Sequence, residues 1–519
     1  MENFNSKSQS KLKIYIRPEL FDHLAYPLSA KLDDNLILLL FRKLHVSSEI
    51  DFKIPLKSWI SKAKEVGLTE TEANVLFQTY KVFDSDNSEY STNTNSRYET
   101  LNAKNSVDVR YFGLFFALQS FAFRTKVSLN VDKGDKSPSY FASPLSSPRG
   151  KNLNSLRNQN QGLEYQFFVN FIKSNLKLFL RIIASDIHNT ETTINANEFN
   201  TLKFLFKLDD NDLYKSSTST SNNLNNLNNN NTLNKGKNTL ANYTHFFDNL
   251  PSVAKIGMNT VDEFLNQLIS TSPPEKTDYV QIKNLSKSVT IKSDCINKNI
   301  KITQCDDSYI YINTNVQNCK ISHCSNCTIV IAVASKIISL DKCEKCNISL
   351  VSNFTRISNM IDSNVYLYSV NEPVLYGDNR GLSLGPHNVT YQDLYLHIKN
   401  SRLLITHQGI NNFNNPIFLN NKKDIKIISI ENFTTINVPF EIKDEFAYKL
   451  TPKNYIESIE NRYKNYLKIK NMIREANFSE KQEKAFHIAL QGYFREWLVT
   501  SGNYRPMNDI VKMIDNPQL

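Results

Sequence analysis

Residues Cys305 to Leu350 read CDDSYIYINTNVQNCKISHCSNCTIVIAVASKIISLDKCEKCNISL. Cys305, Cys324 and Cys343 lie 19 and 19 residues apart, and Asp362 follows after 19 more. Self-similarity at a fixed period marks a stacked-repeat architecture. Written out at that period, the chain lines up further columns. One holds Val289, Ser308, Cys327, Cys346 and Val365, and the next holds Ile291, Ile310, Ile329, Ile348 and Leu367. A third holds Ile300, Cys319, Ile338, Ile357 and Tyr376; a fourth begins Ile302, Ile321 and Leu340, then turns polar at Asn359 and Asp378.

Such columns describe a solenoid whose short strands point alternate side chains inward and whose coils stack about 4.8 Å apart. Cys and Val suit a narrow interior where like sits on like, while Asn and Asp tolerate the corner geometry. Five coils fit between Ser286 and Arg380. The expected fold is mixed, with separate α and β parts: a right-handed parallel β-helix over 276–440, flanked by helical regions on both sides.

All seven cysteines fall between Cys295 and Cys346. An odd number in an intracellular chain argues against a disulfide framework. Cys324-x-x-Cys327 and Cys343-x-x-Cys346 enclose fifteen residues, the spacing of a zinc ribbon. The solenoid register opposes that reading, because the first and fourth positions of a strand lie about 10 Å apart. Core packing is expected of these thiols, with no metal and no cofactor.

The flanks read as helical. Leu32 to Leu44 carries an apolar stripe, Thr69-Glu70-Thr71-Glu72 is a capping box, and the aromatic-rich Val107 to Phe123 reads as a core helix. These place a helical region over 1–132, a polar linker over 133–162, and a second helical region over 163–275. Its segment Ser216 to Asn238, almost wholly Ser, Thr, Asn and Leu, buries too little apolar area to offset chain entropy, which predicts a disordered insert. A helical extension occupies 441–519, with a second capping box at Ser479-Glu480-Lys481-Gln482.

The chain has 519 residues, 40% of them hydrophobic, enough for two or three domains. Its longest apolar run, Leu36 to Phe41, falls far short of the about 20 residues a bilayer span needs. The first residues lack the basic and apolar regions of a secretory signal. The net charge of +10 comes from 61 basic residues mixed with 51 acidic ones. No basic run with interleaved aromatics points to nucleic acid. The basic helix Ile456 to Arg474 reads as a solvated face or a contact for membrane or an acidic protein.

The coils, the Cys-rich segment and the ending Leu384-Gly385-Pro386-His387-Asn388-Val389-Thr390-Tyr391-Gln392-Asp393-Leu394 resemble the C-CAP/cofactor C-like domain. Tubulin-binding cofactor C, the retinitis pigmentosa 2 protein and cyclase-associated protein share that domain. The long helical N-terminal region and the segment Gln491-Gly492-Tyr493-Phe494-Arg495-Glu496-Trp497-Leu498 resemble one branch of the family. The resemblance implies a cytoskeletal adaptor that positions centrosome and Golgi, located in the cytoplasm at centrosomes and spindle poles. Its partners would be tubulin or a small GTPase, and centrosomal components.

The resemblance also implies an alternative. Cofactor C and the retinitis pigmentosa 2 protein stimulate GTP hydrolysis by tubulin and by an Arf-like GTPase, using an arginine finger in a Gln-Gln-x-Arg motif. A fixed guanidinium can neutralise charge on a transferring phosphoryl group, an effect of about 10³ to 10⁵ in rate. The matching stretch here is Asn353-Phe354-Thr355-Arg356, which keeps the arginine and loses both glutamines. By resemblance Arg356 and Asn353 are the catalytic candidates, and Asn353, Phe354 and Arg356 the partner-binding surface. The register agrees that Arg356 points away from the interior, beside inward Ile357, and so faces solvent or a partner. His323 and His387 lack a second ligand and read as ordinary polar residues.

Overall fold

The computed structural model describes residues 13–30, 32–47, 52–84, 106–121, 153–184, 193–208, 256–274, 279–401, 403, 411–419, 425–436, 438–439 and 450–500. A parallel β-solenoid runs from Tyr279–Lys283 to Ile425–Ile427, with helical regions before and after it. The expected insert at 216–238 and most of the polar linker lie outside the described residues. The linker's last part is helical, because the helix begins at Leu153 and runs to Ser174.

Each coil turns at a corner built from two left-handed residues three apart. Asn284 and Lys287, Gln304 and Asp307, His323 and Asn326, Lys342 and Lys345, and Asn359 and Asp362 all have φ between 45° and 58°. Asn and Asp adopt this conformation readily; lysine, glutamine and histidine adopt it here because the ladders on both sides fix the backbone. Glycine takes over at the next corner. Gly381 has φ +61°, and a Cβ there would meet Asp362 Oδ1 at 2.4 Å.

The corner residues between stack in one line: Ser286, Asp306, Ser325, Glu344, Ile361 and Arg380. Their numbers report the coil lengths, which are 20, 19, 19, 17 and 19. The strict period of 19 is therefore corrected at two places. The coil after Glu344 drops two residues at irregularities between Ile331 and Ala334 and between Ala334 and Ile337, opposite Leu350, Ser352 and Phe354. Val365 consequently stacks on Ile348, and Leu367 on Leu350. Ile357 stacks on Leu340 and is followed by Leu375, so that column stays apolar where Asn359 and Asp378 were expected. Tyr376 pairs with Ser358, and Met360, not Asp362, follows Cys343. In the longer first coil Thr290, not Ile291, aligns with Ile310; Val289 and Ile291 are exposed at 42% and 47%.

All seven cysteines are buried and unbridged. Cys305, Cys324, Cys327 and Cys343 each donate to the carbonyl two residues back, and Cys346 Sγ donates to Cys324 O at 3.5 Å. The two columns are thus closer than a strand would place them, because positions 343 to 346 bend around a corner. Among the described residues no group of three or more His, Cys, Asp or Glu side chains is placed to hold a metal ion. Burial pushes the Cys319 thiol up, and burial removes access. Ellman's reagent is therefore expected to find almost no thiol in the native chain and seven in denaturant. Fast reaction of two or more in the native chain would contradict the interior ladder.

The helical domain has its own core. Thr69 caps Glu70–Phe83, its Oγ1 accepting from Glu72 N–H at 3.1 Å while Glu72 Oε2 accepts from Thr69 N–H at 2.9 Å. Asp108 caps the aromatic helix Val109–Leu118. Gly113 lets that helix approach Leu176–Ile183 closely; a Cβ there would sit 2.4 Å from Ile182. Three short antiparallel pairs, Ile14–Ile16 with Phe206–Leu208 among them, tie the domain together. Ser479–Gln482 opens Glu480–Thr500, with Gln482 Oε1 accepting from Ser479 N–H at 3.0 Å.

The solenoid is covered on two sides. Tyr391, Leu394 and Ile398 pack over the outward residues Tyr311, Val330, Val351 and Tyr368. On another face Ile337, Phe354 and Val374 enter the same apolar cluster as Ile14, Leu20 and Tyr26 of the helical domain.

Candidate functional site

Strand Asn347–Ser358 sends Ile357 inward, so Arg356 points outward by alternation. Ladder pairing places Arg356 in one outward column with Lys301, Lys320, Ser339 and Val374. Three cations thus stand on adjacent or near-adjacent coils, roughly 4.8 Å per step. Like charges stacked this way repel unless something anionic covers them.

The N-terminal segment supplies that cover. Helix Glu19–His23 follows Pro18 and lies along the column. Asp22 pairs with Lys320 at 2.5 Å and Lys301 at 3.5 Å, and Lys301 also reaches Glu164 at 3.2 Å. His23 Nδ1 lies 2.9 Å from Ser339 Oγ. Arg356 Nη2 donates to Ala25 O and to Tyr376 Oη, the latter at 2.8 Å. The guanidinium stacks on the Tyr26 ring at 4.1 Å and lies 5.4 Å from the Tyr376 ring centre. Nearby, Lys336 Nζ donates to Phe83 O at 2.8 Å.

Arg356 is therefore 2% exposed. The expectation that it faces solvent or a partner is corrected: it faces the chain's own helical domain. Phe354 is buried in the shared apolar cluster. Asn353 engages its neighbouring coil, its Oδ1 accepting from Asn371 Nδ2 at 2.7 Å. The structure thus separates Asn353 from Arg356 in role and brings Arg356 together with Tyr26, Tyr376, His23 and Asp22. Sequence reasoning missed Asp22, His23, Lys301 and Lys320. The lysines carried a usable signal, since Lys301, Lys320 and Ser339 recur every 19 residues.

Burial and charge set the electrostatics. Burial alone would raise the Asp22 carboxyl, but Lys301 and Lys320 outweigh it and hold it well below the carboxylate range. Burial likewise opposes the charge on Glu19, yet Lys207 and Arg17 bring its pKa down to about 2. Burial would lower Lys320, and Asp22 and Glu164 raise it overall. Burial, reinforced by Arg356 and Lys320, pushes His23 down to about 3, so it is neutral. His387 is buried too, and burial pushes it down to about 3.

Residues 297–416 fit the family model described as tubulin binding cofactor C. The chain carries a TBCC domain. It is similar to TBCC domain-containing protein 1 of Xenopus tropicalis, 24% identical over 280 residues, which is 51% of this chain and 47% of that protein. The protein of the same name from Gallus gallus is 20% identical over 246 residues, covering 46% and 44%. That from Bos taurus is 21% identical over 276 residues, covering 52% and 47%. The matched part of the chain spans about half the length of these curated relatives. Within the TBCC domain, the outward basic column is the face that the helical domain occupies. Among the described residues no helix is long and apolar enough to cross a membrane.

Proposed function

We propose that the chain is a cytoskeletal adaptor of the TBCC-domain family, acting through protein contacts in centrosome and Golgi positioning. The burial of Arg356 beneath the helical domain carries the preference for an adaptor over a GTPase activator. A finger acts only if its guanidinium reaches a nucleotide bound to another protein. Here Tyr26, Tyr376 and Ala25 enclose it, and Phe354 beside it is part of an interdomain core. The description of the matching family model, tubulin binding cofactor C, supports tubulin as the partner to test first.

The alternative is GTPase activation of tubulin or an Arf-like GTPase by Arg356, with Asn353 and Phe354 as contacts. One observation favours it: Arg356 Nε and Nη1 are buried without a hydrogen-bond partner, so two donors stand ready once the cover moves. Single-turnover GTP hydrolysis by tubulin and by an Arf-like GTPase, with and without the full chain, separates the readings. No acceleration is expected. An acceleration of about tenfold or more that Arg356→Ala abolishes would overturn the adaptor reading. A tagged copy is expected at centrosomes and spindle poles; uniform cytosolic signal through the cell cycle would count against the positioning role.

A further inference from the structure

The helix Lys453–Glu475 does two different things along its length. Its first turns close the end of the solenoid. Tyr455 Oη donates to Ile428 O at 2.8 Å, its ring meets Phe433 at 5.0 Å, and Ile459 packs on the same cluster. Arg462 follows, its Nη1 donating to Glu431 O at 3.2 Å. Beyond that point no described residue buries the helix. At 100° per residue, Tyr455, Ile459, Tyr466, Ile469 and Ile473 share one stripe. The stripe that seals the solenoid therefore continues into solvent, with Tyr466 55%, Ile469 58% and Ile473 38% exposed.

Charge decides what the uncovered part fits. From Tyr463 to Arg474 the helix carries Lys464, Lys468, Lys470 and Arg474 and no acidic residue, in a chain whose charges are otherwise well mixed. A second copy laid on this arm would set eight cations together, which disfavours self-association. Lys470 and Arg474 flank the apolar stripe, where long stems bury carbon and lift their charge to an anionic surface. The next helix, Glu480–Thr500, adds Phe486, Leu490, Tyr493 and Trp497 on one stripe, Tyr493 being 72% exposed. Tyr and Trp on amphipathic helices suit the headgroup level of a bilayer. A fluid headgroup layer accepts a flat stripe of this kind.

We infer that this C-terminal helical arm, centred on Tyr463–Arg474, lies on anionic phospholipid surfaces and peripherally attaches the chain to membrane. The test is co-sedimentation of the full chain with phosphatidylcholine vesicles, alone or carrying one-third phosphatidylserine. Binding is expected to the anionic vesicles only and to fall steeply with added salt. Each basic residue near such a surface contributes about fivefold to partitioning. Lys470→Glu/Arg474→Glu is thus expected to weaken binding by about thirtyfold or more, with an unchanged melting curve because both side chains are exposed. Ile469→Ser/Ile473→Ser tests the apolar half and is also expected to lose binding. Absence of binding to anionic vesicles at low salt would overturn the inference, as would binding that survives both double variants. Retention on immobilised polyglutamate without vesicle binding would assign the arm to an acidic protein and overturn it equally.

Discussion

Arg356→Ala is expected to lower the unfolding free energy by about 3 kcal/mol, and Arg356→Met by far less or not at all. The guanidinium is a wedge between Tyr26 and Tyr376, joining coil and helical domain where the two share an apolar cluster. Alanine removes the wedge, both hydrogen bonds and the ring contacts, and leaves a void. Methionine fills that volume and removes a buried charge whose Nε and Nη1 lack partners. Among the described residues no carboxylate forms an ion pair with Arg356, so its charge is offset by a carbonyl, a hydroxyl and two ring faces. Urea unfolding followed by fluorescence and by circular dichroism measures both variants. Equal loss in the two would show that charge, not volume, holds the domains together. A catalytic arginine makes a different forecast: both substitutions would abolish activity whatever their stability.

Asp22→Asn is expected to cost about 3 kcal/mol, because it removes the nearest counter-charge of the buried Lys320 and leaves Glu164 alone to offset the two lysines. The double variant Asp22→Leu/Lys320→Met is expected to recover most of that loss, since it removes both charges from the low-dielectric interface. Losses that simply add would show that the pair is not coupled. The same cluster sets the pH profile. The Asp22 and Glu19 carboxyls are depressed in the fold, so their contribution is present above the ordinary carboxylate pKa of about 4 and vanishes as pH falls further. His23 and His387 are also depressed, to about 3, and the unfolded chain takes up their protons below about pH 6.5. Each therefore removes up to about 1.4 kcal/mol per pH unit between 6.5 and 3. Lys320 is raised, so its share is complete below about pH 10.4 and is lost as pH climbs past its folded value. A stability plateau from about pH 6.5 to 8.5 is the expected result, its alkaline end set by the buried Cys319 thiol, which ionises first in the unfolded chain. His23→Asn should flatten the first part of the acid decline, and an unchanged decline would clear His23.

The interior was legible in the sequence because like residues recur on like positions, and the period needed only Cys305, Cys324 and Cys343 to be seen. The shortened coil was not. A slip of two residues leaves every side chain on the same face of a strand, so Val365 and Leu367 fit either register equally well. The false polar entries at Asp362, Asn359 and Asp378 were what betrayed the slip. Alternation likewise told outward from inward at Arg356 but said nothing of what covers the outside. Its cover comes from Glu19–His23, more than 300 residues away, where five residues after a proline gave no sign of lying on a solenoid. The capping boxes at Thr69 and Ser479 were readable because they are local.

The unequal coils have a consequence for the molecule's dimensions. The left-handed pairs keep a spacing of three residues in five successive turns, while trimming falls between Ile331 and Ile337 and their neighbours. The chain behaves like thread on a spool with one fixed pin: a turn can take up more or less thread, and its height stays the same. Residues can thus be gained or lost on the slack flank without displacing the surfaces carried above or below, whereas one added at the pin would throw every later turn out of line.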